Sequence, residues 1–226
     1  MGVFMKQLQS FICGLLMSIV GILGIKAQQP FDVIISLGGD CQVAYQLSVN
    51  GLSKHTLPFD SMLISYESLV DMLGCKFSGF MNPENIGFMV NANGEKSLCD
   101  ERYGTRLFHD FNPQDDFLKN YTIISSKYLR SIDLFINLVV TAHYPLFIRK
   151  TISKKQAIEL KNLLAEMRDG RPFLLVCLDD TQEIQSDWQL ADVRNYYLQQ
   201  PEPYTWKGDE QAWKEIFKNI IPYLKY

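Results

Sequence analysis

The run FDVIISLGGDCQVAYQLSVNG, residues 31–51, decides the fold and most of the chemistry. Residues 31–37 are short, apolar and rich in β-branched side chains, the pattern of a buried strand. Gly38-Gly39-Asp40 breaks that strand. Val43, Ala44 and Leu47 then recur at helical spacing, and Asn50-Gly51 closes the helix. Cys41 therefore stands where the carboxyl end of a strand turns into the amino end of a helix. Unpaired backbone N–H groups and the positive end of the helix dipole meet at such a corner. They favour thiolate, the reactive form of cysteine. N–H groups at Gln42 and near Gly38 and Gly39 are positioned to hold an oxyanion.

Moving outward, Pro58 forces an extended segment before Phe59-Asp60-Ser61. Ser65 caps a short helix with Leu69, Val70, Met72 and Leu73 on its apolar face. Residues 87–90 and 96–99 flank an Asn-Ala-Asn-Gly turn and read as a hairpin, with residues 102–109 as a further short strand. A long helix is expected over residues 121–141 and a strand over 144–149. Ser153 caps a helix running to Asp169 and closed by Gly170. Residues 173–178 and 193–198 are strands, and residues 211–224 form a last helix with Trp213, Ile216, Phe217 and Ile220 inward. Strand alternating with helix predicts an α/β fold: a mostly parallel open sheet, helices on both faces, and a small β-ribbon insertion over the strand ends. Sites in such sheets form beyond the carboxyl ends of the strands. Cys41, Arg149 and Asp179 belong to that edge.

Several blocks, taken together, resemble a family of papain-like cysteine peptidases whose function is unknown. They are ISLGGDCQVAYQL, LPFDSML (57–63), RYGTRLFHDF (102–111), LFIRK (146–150) and WKGDEQAWKEIF (206–217). The resemblance implies a single domain over residues 28–226 and a thiol-dependent hydrolase or acyltransferase with Cys41 as nucleophile. A papain-like protease carries its cysteine on a helix and its histidine on a separate antiparallel sheet, whereas the periodicity here gives an open α/β sheet.

A cysteine nucleophile needs a base and a group that orients the base. Of the three histidines, His109 lies in one of the family-like blocks and is the chosen base. His55 is second, and His143 sits between a helix and a strand. Asp60, Asp110 and Asp179 are the candidates for the orienting acid, with Asp60 chosen. Asp110 adjoins His109 and points to the opposite side in a strand. Asp40 reads as a helix cap, and its charge beside Cys41 opposes thiolate. The Arg149 fork suits a substrate carboxylate or phosphate, or a structural bond to a buried acid.

Other classes find little support. The 226-residue chain is 21% charged with formal charge −3 and no basic block, so no nucleic-acid partner is expected. Neither G-x-G-x-x-G nor G-x-x-x-x-G-K-[ST] occurs, and Cys41 lacks the second glycine of a nucleophile elbow. Gly38-Gly39-Asp40-Cys41 resembles the Gly-Asp-Ser start of SGNH-type esterases, which carry a late histidine; here none follows His143. Five cysteines without CxxC spacing predict no metal and no cofactor. Cys75 and Cys99 are read as small buried residues, or as a disulfide if the chain is exported. Residues 1–27 combine Lys6, a long apolar run and Ala27. They read as a signal peptide cut after Ala27, or uncut as a membrane anchor, so export or membrane association is expected. Two other functions stay open. One is a carbohydrate-binding or cell-surface polysaccharide protein using Phe77, Phe80 and Phe88. The other is a transferase that binds an anionic donor through Arg149.

Overall fold

The computed structural model describes residues 31–90, 94, 96–107 and 117–221. The leader reading, His109 and Asp110 lie outside these residues. Among the described residues no helix is long and apolar enough to cross a membrane.

Four strands form a parallel sheet in the order β1 (Ile34–Ser36), β6 (Leu146–Lys150), β7 (Leu174–Asp179), β8 (Val193–Tyr197). Register pairs Ile34 with Leu146, Leu146 with Leu174, and Leu175 with Val193. The sheet is covered on both faces, which is why the inner strands read as unbroken apolar runs. Alternation sorts their side chains. Ile35, Phe147, Leu175 and Cys177 face one core with Phe135 and Val139 of α3 (Phe117–Thr141) and Leu160 and Leu164 of α4 (Lys154–Met167). Leu146, Ile148, Val176 and Leu178 face the other core. There they meet Val43 and Leu47 of α1 (Gln42–Val49) and Trp213, Phe217 and Ile220 of α5 (Glu210–Ile220).

Helix starts follow side-chain caps. Ser65 Oγ accepts from the Ser68 N–H at 3.0 Å to open α2 (Tyr66–Gly74). Ser153 and Gln156 form a reciprocal capping box on α4, and Asp209 Oδ1 accepts from the Ala212 N–H at 2.8 Å on α5. Besides the Pro172 carbonyl ahead of β7, the buried Arg168 donates to the carbonyls of Val139 and Ala142, which holds the end of α3. Those helix-end carbonyls have no partner within their own helix.

The predicted ribbon is larger than expected. It is a four-stranded antiparallel sheet in the order β2 (Met62–Leu63), β5 (Thr105–Leu107), β4 (Lys96–Asp100), β3 (Ile86–Val90). The Ile64 N–H donates to the Gly39 carbonyl at 3.2 Å, which ties the end of β2 to the carboxyl end of β1. Phe77 and Phe80 are not exposed anchors. Both are buried, in ring contact with Phe59, Tyr103, Tyr128 and Phe135. That removes two of the three aromatics on which a sugar platform would rest. Cys75 is exposed rather than buried. It is a free thiol, as are the buried Cys99 and Cys177.

Candidate active site

The corner after β1 is set by two glycines. Gly38 has φ +73° and Gly39 φ +108°. A Cβ on Gly39 would lie 2.6 Å from the Lys150 carbonyl oxygen. Only glycine allows the chain to turn this hard against the end of β6. The turn delivers Cys41 to the cap position of α1, with φ −74° and ψ −3°, half-buried at the carboxyl edge of the parallel sheet. Cys41 makes no side-chain cap. Asp40 does so, as expected, with Oδ1 accepting from the Gln42 N–H at 3.0 Å.

The other Asp40 oxygen meets a group the sequence reading missed. Lys150 Nζ lies 2.6 Å from Asp40 Oδ2, and the two side chains are 7% and 25% exposed. The electrostatics at sulfur follow from this pair. Burial and the Asp40 charge push the Cys41 thiol above its ordinary range, while Lys150 pulls it down. At neutral pH the resting group is the thiol, so a base is needed to raise its reactivity.

The loop over residues 199–209 is fastened to the same helix start. Gln42 Nε2 donates to the Trp206 carbonyl at 3.2 Å, and Gln46 Nε2 to the Lys207 carbonyl at 2.7 Å. The Tyr45 and Trp206 rings meet edge to face at 5.0 Å. Tyr204 is mostly exposed, and its hydroxyl is held above its usual range by burial, then by the charges of Asp40 and Cys41. Lys150 was missed because its partner is 110 residues away. The available signal was a lysine ending an apolar strand, beside Arg149.

The predicted site residues separate. Gly38, Gly39, Asp40, Cys41 and Gln42 form the corner. Of the N–H groups at Gly38, Gly39 and Gln42 expected to hold an oxyanion, two already have acceptors: that of Gly38 bonds Ser36 Oγ at 3.2 Å, and that of Gln42 bonds Asp40. Arg149 does reach the corner, but it is only 1% exposed. Its Nη1 donates to the Leu37 carbonyl at 2.9 Å and Nη2 to the Ile64 carbonyl at 3.1 Å. Asp179 ends β7 and lines the same cavity as Gly39, Asp40 and Arg149.

His55 and His143 lie at the far edge of the sheet. The Lys54 ammonium donates to the Asp32 carbonyl and the His143 N–H to Asp32 Oδ2, and Asp32 precedes β1. The length of the neighbouring β6, Leu146–Lys150, separates that edge from Cys41, roughly 15 Å.

Asp60 sits in the 3-10 turn Pro58–Ser61, with Oδ2 accepting from the Leu57 N–H at 2.7 Å. Burial raises its pKa from 3.8 to about 6. The folded state thus binds this proton more tightly than the unfolded chain. The stabilisation it brings is complete below pH 3.8 and is lost as pH rises through about 6. Asp60→Asn keeps the acceptor for Leu57 and removes the charge. It is expected to raise thermal stability at pH 7 by about 1–2 kcal/mol and to leave it little changed at pH 4, measured by calorimetry at both values.

Among the described residues no group of three or more His, Cys, Asp or Glu could hold a metal ion. A model of the family described as "Putative papain-like cysteine peptidase", a domain of unknown function, matches residues 32–172. The match takes in the corner, the antiparallel sheet and Lys150, and ends before β7. The 206–217 block lies outside it. An uncharacterized protein of Acanthamoeba polyphaga mimivirus is 26% identical over 217 residues, covering 83% of this chain and 97% of the relative. No solved structure matches. With the match extending over more than half its length, the chain belongs to this papain-like cysteine peptidase family.

Proposed function

We propose that the protein is a thiol-dependent hydrolase or acyltransferase with Cys41 as nucleophile. The observation that carries this reading is the place of Cys41: half-buried on a glycine corner at the carboxyl edge of the sheet, beside the Asp40–Lys150 pair and a cavity. Structural cysteines such as Cys177 lie within strands and are fully buried.

In the proposed reaction the sulfur attacks a carbonyl carbon. The thiol proton passes to an imidazole, the carbonyl π pair moves onto oxygen, and an S–C bond forms. Collapse expels the leaving group, which takes the proton from the imidazole. Water or an acceptor nucleophile then releases the acyl group from sulfur. The chain has three histidines, and two belong to the opposite edge of the sheet. His109, two positions beyond β5, is therefore the base of choice. Its place after an antiparallel strand agrees with the arrangement that the family resemblance implies. Asp60 is proposed as the orienting acid because it lies in the turn leading to β2, which pairs with β5.

The test is acylation by p-nitrophenyl acetate. We expect a burst of about one equivalent and an acetyl group on the Cys41 peptide by mass spectrometry. Cys41→Ser should abolish the burst, and His109→Ala should slow it at least 100-fold at pH 7. The exposed Cys75 should be replaced by Ser in every sample, since it is free to react on its own account. Acetyl spread evenly over the remaining cysteines, or a full burst in His109→Ala, would sink the proposal.

A further inference from the structure

A cavity of about 660 Å³ opens where the carboxyl edge of the parallel sheet meets the antiparallel sheet. Arg149 stands in its wall. Two of its nitrogens are bound to the Leu37 and Ile64 carbonyls, which fixes the guanidinium plane. The third, Nε, is buried and has no acceptor. A guanidinium N–H deprived of both water and a protein partner is costly, and such groups call for an explanation. Here the side chain is 1% exposed and borders an open space of ligand size.

The rest of the lining suits an anion. Arg106, half-buried on β5, lines the cavity together with Arg149. The amino ends of α2 and α4, at Ser65 and Ser153, both open onto it, so two helix dipoles present their positive ends. Three acids also line the space: Asp40, Glu67 and Asp179. Asp40 is neutralised by Lys150. Burial holds the Asp179 carboxyl above its usual range. Glu67 is exposed in the first turn of α2.

We propose that this cavity binds an oxyanion, a carboxylate or a phosphate, on the Arg149 Nε–H, with Arg106 completing the site and the positive end of the α4 dipole behind it. Gly39 and Asp40 form one wall, so the bound anion lies next to the corner that carries Cys41. If the thiol reading above holds, the substrate is an acyl compound with an anionic group beside the carbonyl under attack, and such a compound acylates Cys41 faster than an activated neutral ester does. The prefixed guanidinium supplies orientation as well as charge, because its plane is already held by two backbone carbonyls.

The experiment is isothermal titration of the full chain at low salt with inorganic phosphate, N-acetylglycine and N-acetylglycinamide. We expect one-site binding of phosphate or N-acetylglycine, with the amide at least tenfold weaker. The two anions separate a phosphate site from a carboxylate site. Arg149→Gln should weaken binding at least tenfold, and it decides the matter if it melts cooperatively. If it does not, because the Leu37 and Ile64 carbonyls lose their donor, Arg106→Gln decides, with the same loss expected. Neither anion binding at millimolar concentration, the amide binding equally well, or the deciding variant binding like wild type would overturn the proposal. The burst assay is separate. Anion binding without acetyl-Cys41 leaves this site standing and removes the thiol reading; the reverse result removes this site alone.

Discussion

Gly39→Ala is expected to be the most damaging single methyl group in the protein. Two costs add. The residue has φ +108°, where a side chain is strained by about 1–3 kcal/mol. The new Cβ would also lie 2.6 Å from a backbone oxygen of Lys150 and 3.2 Å from its carbon, neither of which can swing aside as a side chain would. Forcing them apart costs a further 1–3 kcal/mol or so. The two together, roughly 2–6 kcal/mol, are a large part of a typical domain's stability. Gly51→Ala is the control. Its φ is +68°, and nothing lies within 4 Å of the added carbon, so only the backbone strain applies, about 1–2 kcal/mol. Urea unfolding followed by circular dichroism measures both. Equal losses would mean that the corner is not as tight as the geometry says. The same substitution should also weaken the Lys150 N–H bond to the Gly38 carbonyl, and so loosen the thiol's surroundings together with the fold.

What could be read from the sequence is local. Ser153 with Gln156, Ser65 with Ser68, and Asp209 with Ala212 are contacts three residues apart, and each marks a helix start within a residue of the observed one. The apolar run of β7 announced a strand buried on both faces. Cys41 at the head of α1 followed from two glycines between a β-branched run and a helical period.

What could not be read depends on distant partners. β2 is two residues long and has no pattern of its own; it exists because β5 pairs with it, so the insertion looked like a ribbon and is a full sheet. Phe77 and Phe80 follow a helix in a loop without period. Nothing local says that Phe135 meets the Phe77 ring or that Tyr128 meets the Phe80 ring, each roughly 50–60 positions later. Arg149 and Lys150 end one strand and point to opposite faces. One becomes a brace for backbone carbonyls and the other a counterion for Asp40. A sequence lists both as charges, and only the pleat assigns them.

That assignment leads to the second large effect, in which two neighbouring substitutions should move the same thiol in opposite directions. Asp40 raises the Cys41 pKa and Lys150 lowers it. Alkylation follows the thiolate fraction, which changes tenfold for each unit of pKa when pH is below it. Asp40→Asn keeps an acceptor for the Gln42 N–H, removes the opposing charge and leaves Lys150 free to stabilise sulfur. Cys41 should then react with iodoacetamide roughly three- to tenfold faster at pH 8. Lys150→Met does the reverse: the thiol faces Asp40 alone and slows by a similar factor. It also strands a carboxylate whose side chain is only 25% exposed, which should cost roughly 3 kcal/mol of folding stability. The double variant removes both charges, so much of that stability should return, and the coupling between the two sites measures the pair directly. Peptide-resolved alkylation across pH 7 to 10, in a Cys75→Ser background, gives the rates, and urea unfolding gives the energies. Shifts of the same sign in the two single variants would show that the pair does not set the thiol's potential. Opposite shifts would place Lys150 as the positioning cation of the site: it offsets Asp40 while the thiol rests and becomes a partner for sulfur once the base has taken the proton.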